Sequence, residues 1–170
     1  MATEIRDALT SAQRSAMHLE MRDHYTPDDP AFADWRVGKA LDPAQRWRSW
    51  FDLVSATVAR GVSVRRVRIV SEPVTDYIRF EHTVTGGLNV AAGEQVRWLP
   101  RRRAADLLVP GCDLWVFDDS VVIFNHFAGD GSRPSDATER REDAVLAQRV
   151  AGALDTIWKR AIPHEKYKPV

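Results

Sequence analysis

The stretch from Val62 to Leu99 limits the choice of fold more than any other part of the chain. It opens β-branched, and over Arg65 to Ile69 arginines alternate in part with apolar residues, as in a strand that turns Val67 and Ile69 toward a core. Pro73 restricts Glu72 to extended backbone and suits the first turn of a helix. Val74, Tyr77, Ile78 and Val84 then fit one helical stripe, which Gly86-Gly87 is expected to close. Gln95 to Leu99 reads as a second strand stopped by Pro100. Strand, helix and strand in so short a span form a crossover unit, whose strands run parallel with a right-handed connection in nearly all cases.

The remaining elements are placed around that unit. Residues 11–25 mix Ala12, Ala16, Met17 and Leu19 with charged residues at spacings that predict a helix, with Ser11 as its cap. Tyr25 to Asp42 is punctuated by Pro27, Asp28, Asp29, Pro30 and Gly38 and reads as an irregular arm. Asp42-Pro43 is a helix start, and Trp47, Trp50, Phe51, Val54 and Val58 share one face until Gly61. Asp113 to Phe117 and Val121 to Phe127 flank Asp118-Asp119-Ser120 and predict a β-hairpin. A last helix is expected from about Thr138 to Ala161, ended by Pro163. The fold class is therefore α/β, a single domain with a mixed sheet holding one parallel βαβ crossover and a β-hairpin, flanking helices and an N-terminal helical arm. The division is residues 1–42 for the helix and arm and 43–170 for the α/β core.

At 170 residues, 44% hydrophobic and 28% charged, the chain has one domain's length and enough apolar residues for a sizeable core. No apolar run approaches the roughly 20 residues of a membrane span. Glu4, Arg6 and Asp7 stand where a signal peptide needs its apolar stretch, so a cytoplasmic protein is expected, with no membrane partner. Cys112 is alone, which excludes an intramolecular disulfide and a cysteine-based zinc site.

Twenty-four basic and twenty-four acidic residues cancel, yet residues 60–103 hold nine arginines and four acids while residues 104–143 hold three arginines and nine acids. Arg65, Arg66, Arg68, Arg101, Arg102 and Arg103 are candidates to bind phosphate or an acidic partner, since guanidinium forks suit both. They could equally be solvated faces or pair with the acidic half of the chain.

Chemical motifs are sparse. The five histidines lack metal-ligand spacing, and no cofactor is expected. Neither a G-x-x-x-x-G-K-[ST] loop, a G-x-G-x-x-G fingerprint nor a G-x-S-x-G elbow occurs. Asp118, Asn125 and His126 form the most site-like polar cluster, at strand ends and turns, though without an evident nucleophile. Of the six tryptophans most lie on core stripes; Trp35, beside Phe32 in the arm, is the candidate for a partner contact.

The segments Arg65–Phe80, Asn89–Pro100, Asp113–Asp118 and Trp158–His164 resemble an uncharacterised actinobacterial family encoded beside repressor-type helix-turn-helix regulators, over roughly residues 45–168. A more distant resemblance is to a single phospholipase D-type repeat, whose catalytic members carry H-x-K-x-x-x-x-D. With Asp118 as the aspartate, Gly111 takes the histidine position and Asp113 the lysine position, so the resemblance implies the fold without its phosphodiesterase chemistry. The expected function is a non-enzymatic regulatory accessory that binds a protein partner, a helix-turn-helix transcriptional regulator, through Phe32 and Trp35, with a homodimer also open. The alternatives are nucleic-acid binding through the arginines, and a toxin or hydrolase of a toxin–antitoxin-like pair using Asp118, Asn125 and His126.

Overall fold

The computed structural model describes residues 3–25 and 29–170; Pro27 and Asp28 of the expected arm lie outside the described residues. In chain order the elements are α1 (Thr3–Ser11), β1 (Ser15–Glu20), α2 (Pro30–Arg36), α3 (Pro43–Arg46), α4 (Arg48–Ala59), β2 (Ser63–Val70), α5 (Asp76–Thr85), β3 (Gln95–Pro100), β4 (Asp113–Phe117), β5 (Val121–Asn125), β6 (Thr138–Arg141), α6 (Ala144–Arg160) and β7 (Ile162–Pro163). The strands form one mixed sheet in the order β6-β5-β4-β1-β2-β3-β7. β1, β2 and β3 are mutually parallel, and every other pairing is antiparallel. Both the predicted crossover from β2 through α5 to β3 and the β4–β5 hairpin are present.

The principal departure lies at the N-terminus. Residues 15–20 are a strand, not part of a helix over 11–25, and that strand sits between β2 and β4 near the middle of the sheet. Its Ala16 and Leu19 are both fully buried although they point to opposite faces. Met17 and Leu19 alternate with His18 and Glu20 as a strand requires, but the run is short and Ala12, Ala16 and Leu19 around it also fit a helical spacing. β1 is thus built into the middle of the sheet, and Ile5, Ala8 and Leu9 of α1 and Ala31 of α2 are buried against it.

Smaller departures have local causes. The tryptophan-rich helix is broken at Trp47 (φ −116°) into α3 and α4, while Asp42 caps α3 as expected by accepting from Gln45 N–H at 3.1 Å. α5 starts at Asp76, where the Thr75 hydroxyl accepts from Ile78 N–H, and not at Pro73. Gly86-Gly87 does not end that helix: it opens into a wider turn over residues 86–90, in which Ala91 N–H bonds Gly86 O, and Gly93 (φ +94°) makes the actual stop. The last helix is shorter than expected. Thr138–Arg141 pairs with β5 as a charged edge strand, and the Asp143 side chain caps α6 through Leu146 N–H.

Two layers cover the sheet. On one face Met17, Leu19, Val67, Ile69, Leu99, Leu114, Val116 and Val122 pack against Ala147, Val150, Leu154, Ile157 and Trp158 of α6. On the other, α1 and α4 cover Ala16, Val64, Trp115, Phe117 and Ile123, while α2 and α5 cover Val96 and Trp98. Between those two apolar clusters the second face is polar. None of the described helices is long and apolar enough to cross a membrane.

Candidate functional site

Strand register assembles the site. His18 of β1 lies opposite Arg66 of β2 and Trp115 of β4, and Glu20 lies opposite Arg68. Because side chains alternate along a strand, these four charged or polar residues share the face away from α6, while Leu19 and Val67 between them face the apolar layer.

The two guanidinium groups and three carboxylates form one lattice. Arg66 bonds Glu20 Oε1 through Nη1 at 2.6 Å and Glu94 Oε1 through Nε at 2.7 Å. Arg68 bonds Glu20 Oε2 through Nε at 2.5 Å, Glu81 Oε2 through Nη2 at 2.6 Å and the Thr85 hydroxyl through Nη1 at 2.5 Å. The wide turn after α5 brings Asn89 in to donate to Glu94 at 2.5 Å. Both arginines are 6% exposed, so these are desolvated pairs, where loss of one partner strands a buried charge. Burial alone would push the Glu20 carboxyl up, but Arg66 and Arg68 overcome it and hold the group well below the ordinary carboxylate range.

Above the lattice lies a cavity of about 320 Å³. Trp47, Trp50, Phe80, Trp115 and Phe127 supply its aromatic walls; His18, Glu20, Arg66, Arg68, Glu81 and Asn89 its floor; Tyr25, Asp29, Asp113, Asn125 and Arg133 its remaining polar rim. His18 stacks on Trp115 with ring centroids 4.1 Å apart. It is 8% exposed, and its Nδ1, 3.6 Å from Glu20 Oε1, has no hydrogen-bond partner. Burial keeps this imidazole neutral by lowering its pKa well below the usual value. Asp113 accepts from Met21 N–H at 2.9 Å and from the Tyr25 hydroxyl, yet burial pushes its pKa up to about 6. On the outer side of Asp113, Asn125 and Phe127 lies a second hollow bordered by Arg22, Arg101, Gly111 and His126.

Among the described residues the walls of the main cavity include no Ser, Thr or Cys. His18 therefore has a carboxylate neighbour but no hydroxyl or thiol to activate, and the Tyr25 hydroxyl is occupied by Asp113, its pKa raised well above the ordinary value by burial. No group of three or more His, Cys, Asp or Glu among the described residues is placed to hold a metal ion. The arrangement can bind and orient a small molecule.

The residues singled out from sequence are dispersed by the fold. Arg66 and Arg68 lie in the buried lattice and not on a surface. Arg65, one residue on, points to the opposite face, where it pairs with Asp155 at 3.1 Å beside Trp158. Arg101 holds the Ser71 hydroxyl and backbone carbonyls, Arg103 reaches Arg160 O, and Arg102 is exposed. The six arginines thus form no single patch. The polar cluster is split as well. Asp118 sits in the β4–β5 turn and accepts from the backbone N–H groups of Gln13, Arg14 and Ser15 at 2.8–2.9 Å, a structural clamp. Asn125 stands at the far end of the hairpin opposite Asp113 and faces the cavity, whereas His126 is exposed and pairs with Glu139 at 3.1 Å. Phe32 and Trp35 of α2 are half-buried against Tyr77 and Phe80.

His18, Glu20, Glu81, Glu94, Asn89 and Asp113 were not anticipated as a polar centre. The available signal was H-x-E at residues 18–20 beside R-x-R at residues 66–68, two period-two pairs that match only if both segments are neighbouring strands. A helical reading of residues 11–25 conceals it.

The architecture is that of a phospholipase D-like fold. A phospholipase D family member, Nuc from Salmonella typhimurium, superposes with a TM-score of 0.52 at 14% identity, over 94% of this chain and 88% of that one. TrmBL2, an archaeal chromatin protein, gives 0.50 at 12% identity over 93% of this chain and 48% of that one. The chain itself belongs to the family described as a domain of unknown function (DUF6879), whose model matches residues 3–169. No curated protein matches its sequence.

Proposed function

We propose that this protein is a non-enzymatic regulatory accessory of the cytoplasm that acts by binding a protein partner, and that the partner is a helix-turn-helix transcriptional regulator. One observation carries the non-enzymatic half. Gly111 and Asp113 stand where the resemblance to a phospholipase D-type repeat would put the nucleophilic histidine and the phosphate-binding lysine, and among the described residues the cavity that Asp113 borders offers no hydroxyl or thiol paired with a base. A glycine cannot form a phosphoenzyme, and a carboxylate repels phosphate. The regulator as partner is supported by the resemblance to a family encoded beside such proteins. The contact surface we assign is α2, where Phe32 and Trp35 are half-exposed next to Val37, which is 72% exposed.

Nucleic-acid binding has less support, because Arg66 and Arg68 spend their donors on Glu20, Glu81 and Glu94. A hydrolase using Asp118, Asn125 and His126 has less still, since Asp118 and Asn125 lie at opposite ends of the hairpin. Two measurements test the proposal. The protein should release no product from a chromogenic phosphodiester above the buffer rate, and it should copurify at micromolar concentration with the regulator encoded beside it. Val37→Glu should weaken that association at least tenfold without lowering the melting temperature. Phosphodiester turnover, or no association at micromolar concentration, would overturn the reading.

A further inference from the structure

The charges around the cavity do not balance. Among the described residues Asp29, Glu20, Glu81 and Asp113 line it and Glu94 stands behind Arg66; against these five carboxylates are the guanidinium groups of Arg66, Arg68 and Arg133, with Arg22 near enough to bear on Asp113. Arg22, on the outer side of Phe127, is the next cation. His18 adds no charge, because burial keeps it neutral. An excess of negative charge beside desolvated groups is costly unless a cation joins it.

The two buried arginines have no donors to spare. Arg66 directs Nε and both Nη groups at Glu20 and Glu94, and Arg68 directs Nε and both Nη groups at Glu20, Thr85 and Glu81. Neither arginine has a fork left for a phosphate or carboxylate. Acceptors remain unspent on the wall, the second lone pairs of Asp113 and Asn125 and a ring nitrogen of His18, since a neutral imidazole always carries one acceptor, beside the remaining donors of Arg133 and Asn125. His18 is the independent sign that something belongs here, being buried, lining the cavity and unpartnered at Nδ1.

The aromatic walls narrow the class further. Trp47, Trp50, Phe80 and Phe127 line the same space; Arg66 lies over Trp50 and Arg22 and Arg133 over Phe127, so among the described residues Trp47 and Phe80 are the rings of this set with no arginine over them, and ring faces attract cations. The volume, about 320 Å³, is at the lower end of small-molecule sites, ~300–1,000 Å³. We propose that this cavity is a binding site for a compact organic cation, a primary ammonium or guanidinium group on a short or flat apolar body, with Asp113, Asn125 and His18 receiving its N–H groups and the aromatic walls its body. The proposal rests on reading the cavity as a binding site and not a reacting one.

The test is calorimetric titration of the full chain with three probes of one shape: 2-phenylethylammonium, neutral 2-phenylethanol and anionic phenylacetate. The ammonium should bind at least tenfold more tightly than the other two. Asp113→Asn should weaken it at least tenfold, while Asn125→Asp, which adds a carboxylate to the same wall, should tighten it several-fold. That gain guards against a loss caused by misfolding. Tighter binding of phenylacetate or phenylethanol, or no binding of the ammonium by the folded protein, would overturn the cation site. Copurification with the regulator reports separately, so failure of the partner proposal leaves this result intact, and the reverse also holds.

Discussion

The two faces of the β1–β2 strand pair differ more than any other two regions of the molecule. Toward α6, Leu19, Val67 and Ile69 meet a long helix laid flat on the sheet, and Leu154 and Ile157 are fully buried there. Toward the other side, at alternate positions of the same two strands, His18, Glu20, Arg66 and Arg68 are as well hidden from solvent but lie under a cavity. The difference teaches what decides whether a buried position can be polar. One continuous helix closes its face and leaves room only for apolar packing. Several short helices, α1 and α4 at one end and α2 and α5 at the other, leave a gap, and polar residues persist beneath it only because each charge has a partner.

The comparison is broken most severely by removing the shared carboxylate. Glu20→Ala should cost about 3–5 kcal/mol in urea unfolding, since it strips both buried arginines of a partner at once. On the dry face Leu154→Ala should cost about 2–5 kcal/mol by leaving a cavity, and unlike Glu20→Ala its cost should not change with salt or with pH between 5 and 8. Asp113 separates the faces by pH. Its pKa is raised to about 6, so the native state binds the proton more tightly than the unfolded chain. Its contribution is therefore most favourable in acid, declines as pH rises from about 4 through about 6 and is flat above. The stability difference between Asp113→Asn and the parent should consequently shift in favour of the variant by about 1–3 kcal/mol across that window, measured as paired unfolding curves. Asp118→Ala, which strips three backbone donors of their acceptor far from the cavity, should cost about 1–2 kcal/mol without altering ligand binding. His126→Ala should change stability by less than about 0.5 kcal/mol, because its pair with Glu139 is exposed; a larger effect would return His126 to the site.

Legibility followed the range of the interactions. The β2–α5–β3 crossover and the β4–β5 hairpin could be read because helical stripes, caps and the Asp118-Asp119 turn are local signals; both aspartates adopt positive φ, as a tight hairpin turn requires. β1 could not, because its alternation of Met17 and Leu19 with His18 and Glu20 is short and lies in a window where Ala12, Ala16 and Leu19 also fit a helix, and β6 could not, because an edge strand of Thr-Glu-Arg-Arg carries no apolar residue at all. Arg66, Arg68 and Asn125 stood out as side chains in search of a role, but their partners lie far along the chain: Glu20 is 46 positions from Arg66 and Glu94 is 28.

The sequence by itself determined an α/β chain with a parallel crossover and a hairpin. Only the tertiary structure decided that Arg66 and Arg68 are buried beneath a cavity and not displayed to a nucleic acid or an acidic partner. The physical reason is that a strand's own pattern says which side chains share a face, while which face is closed by a helix and which is left hollow depends on strands and helices brought together from across the whole chain.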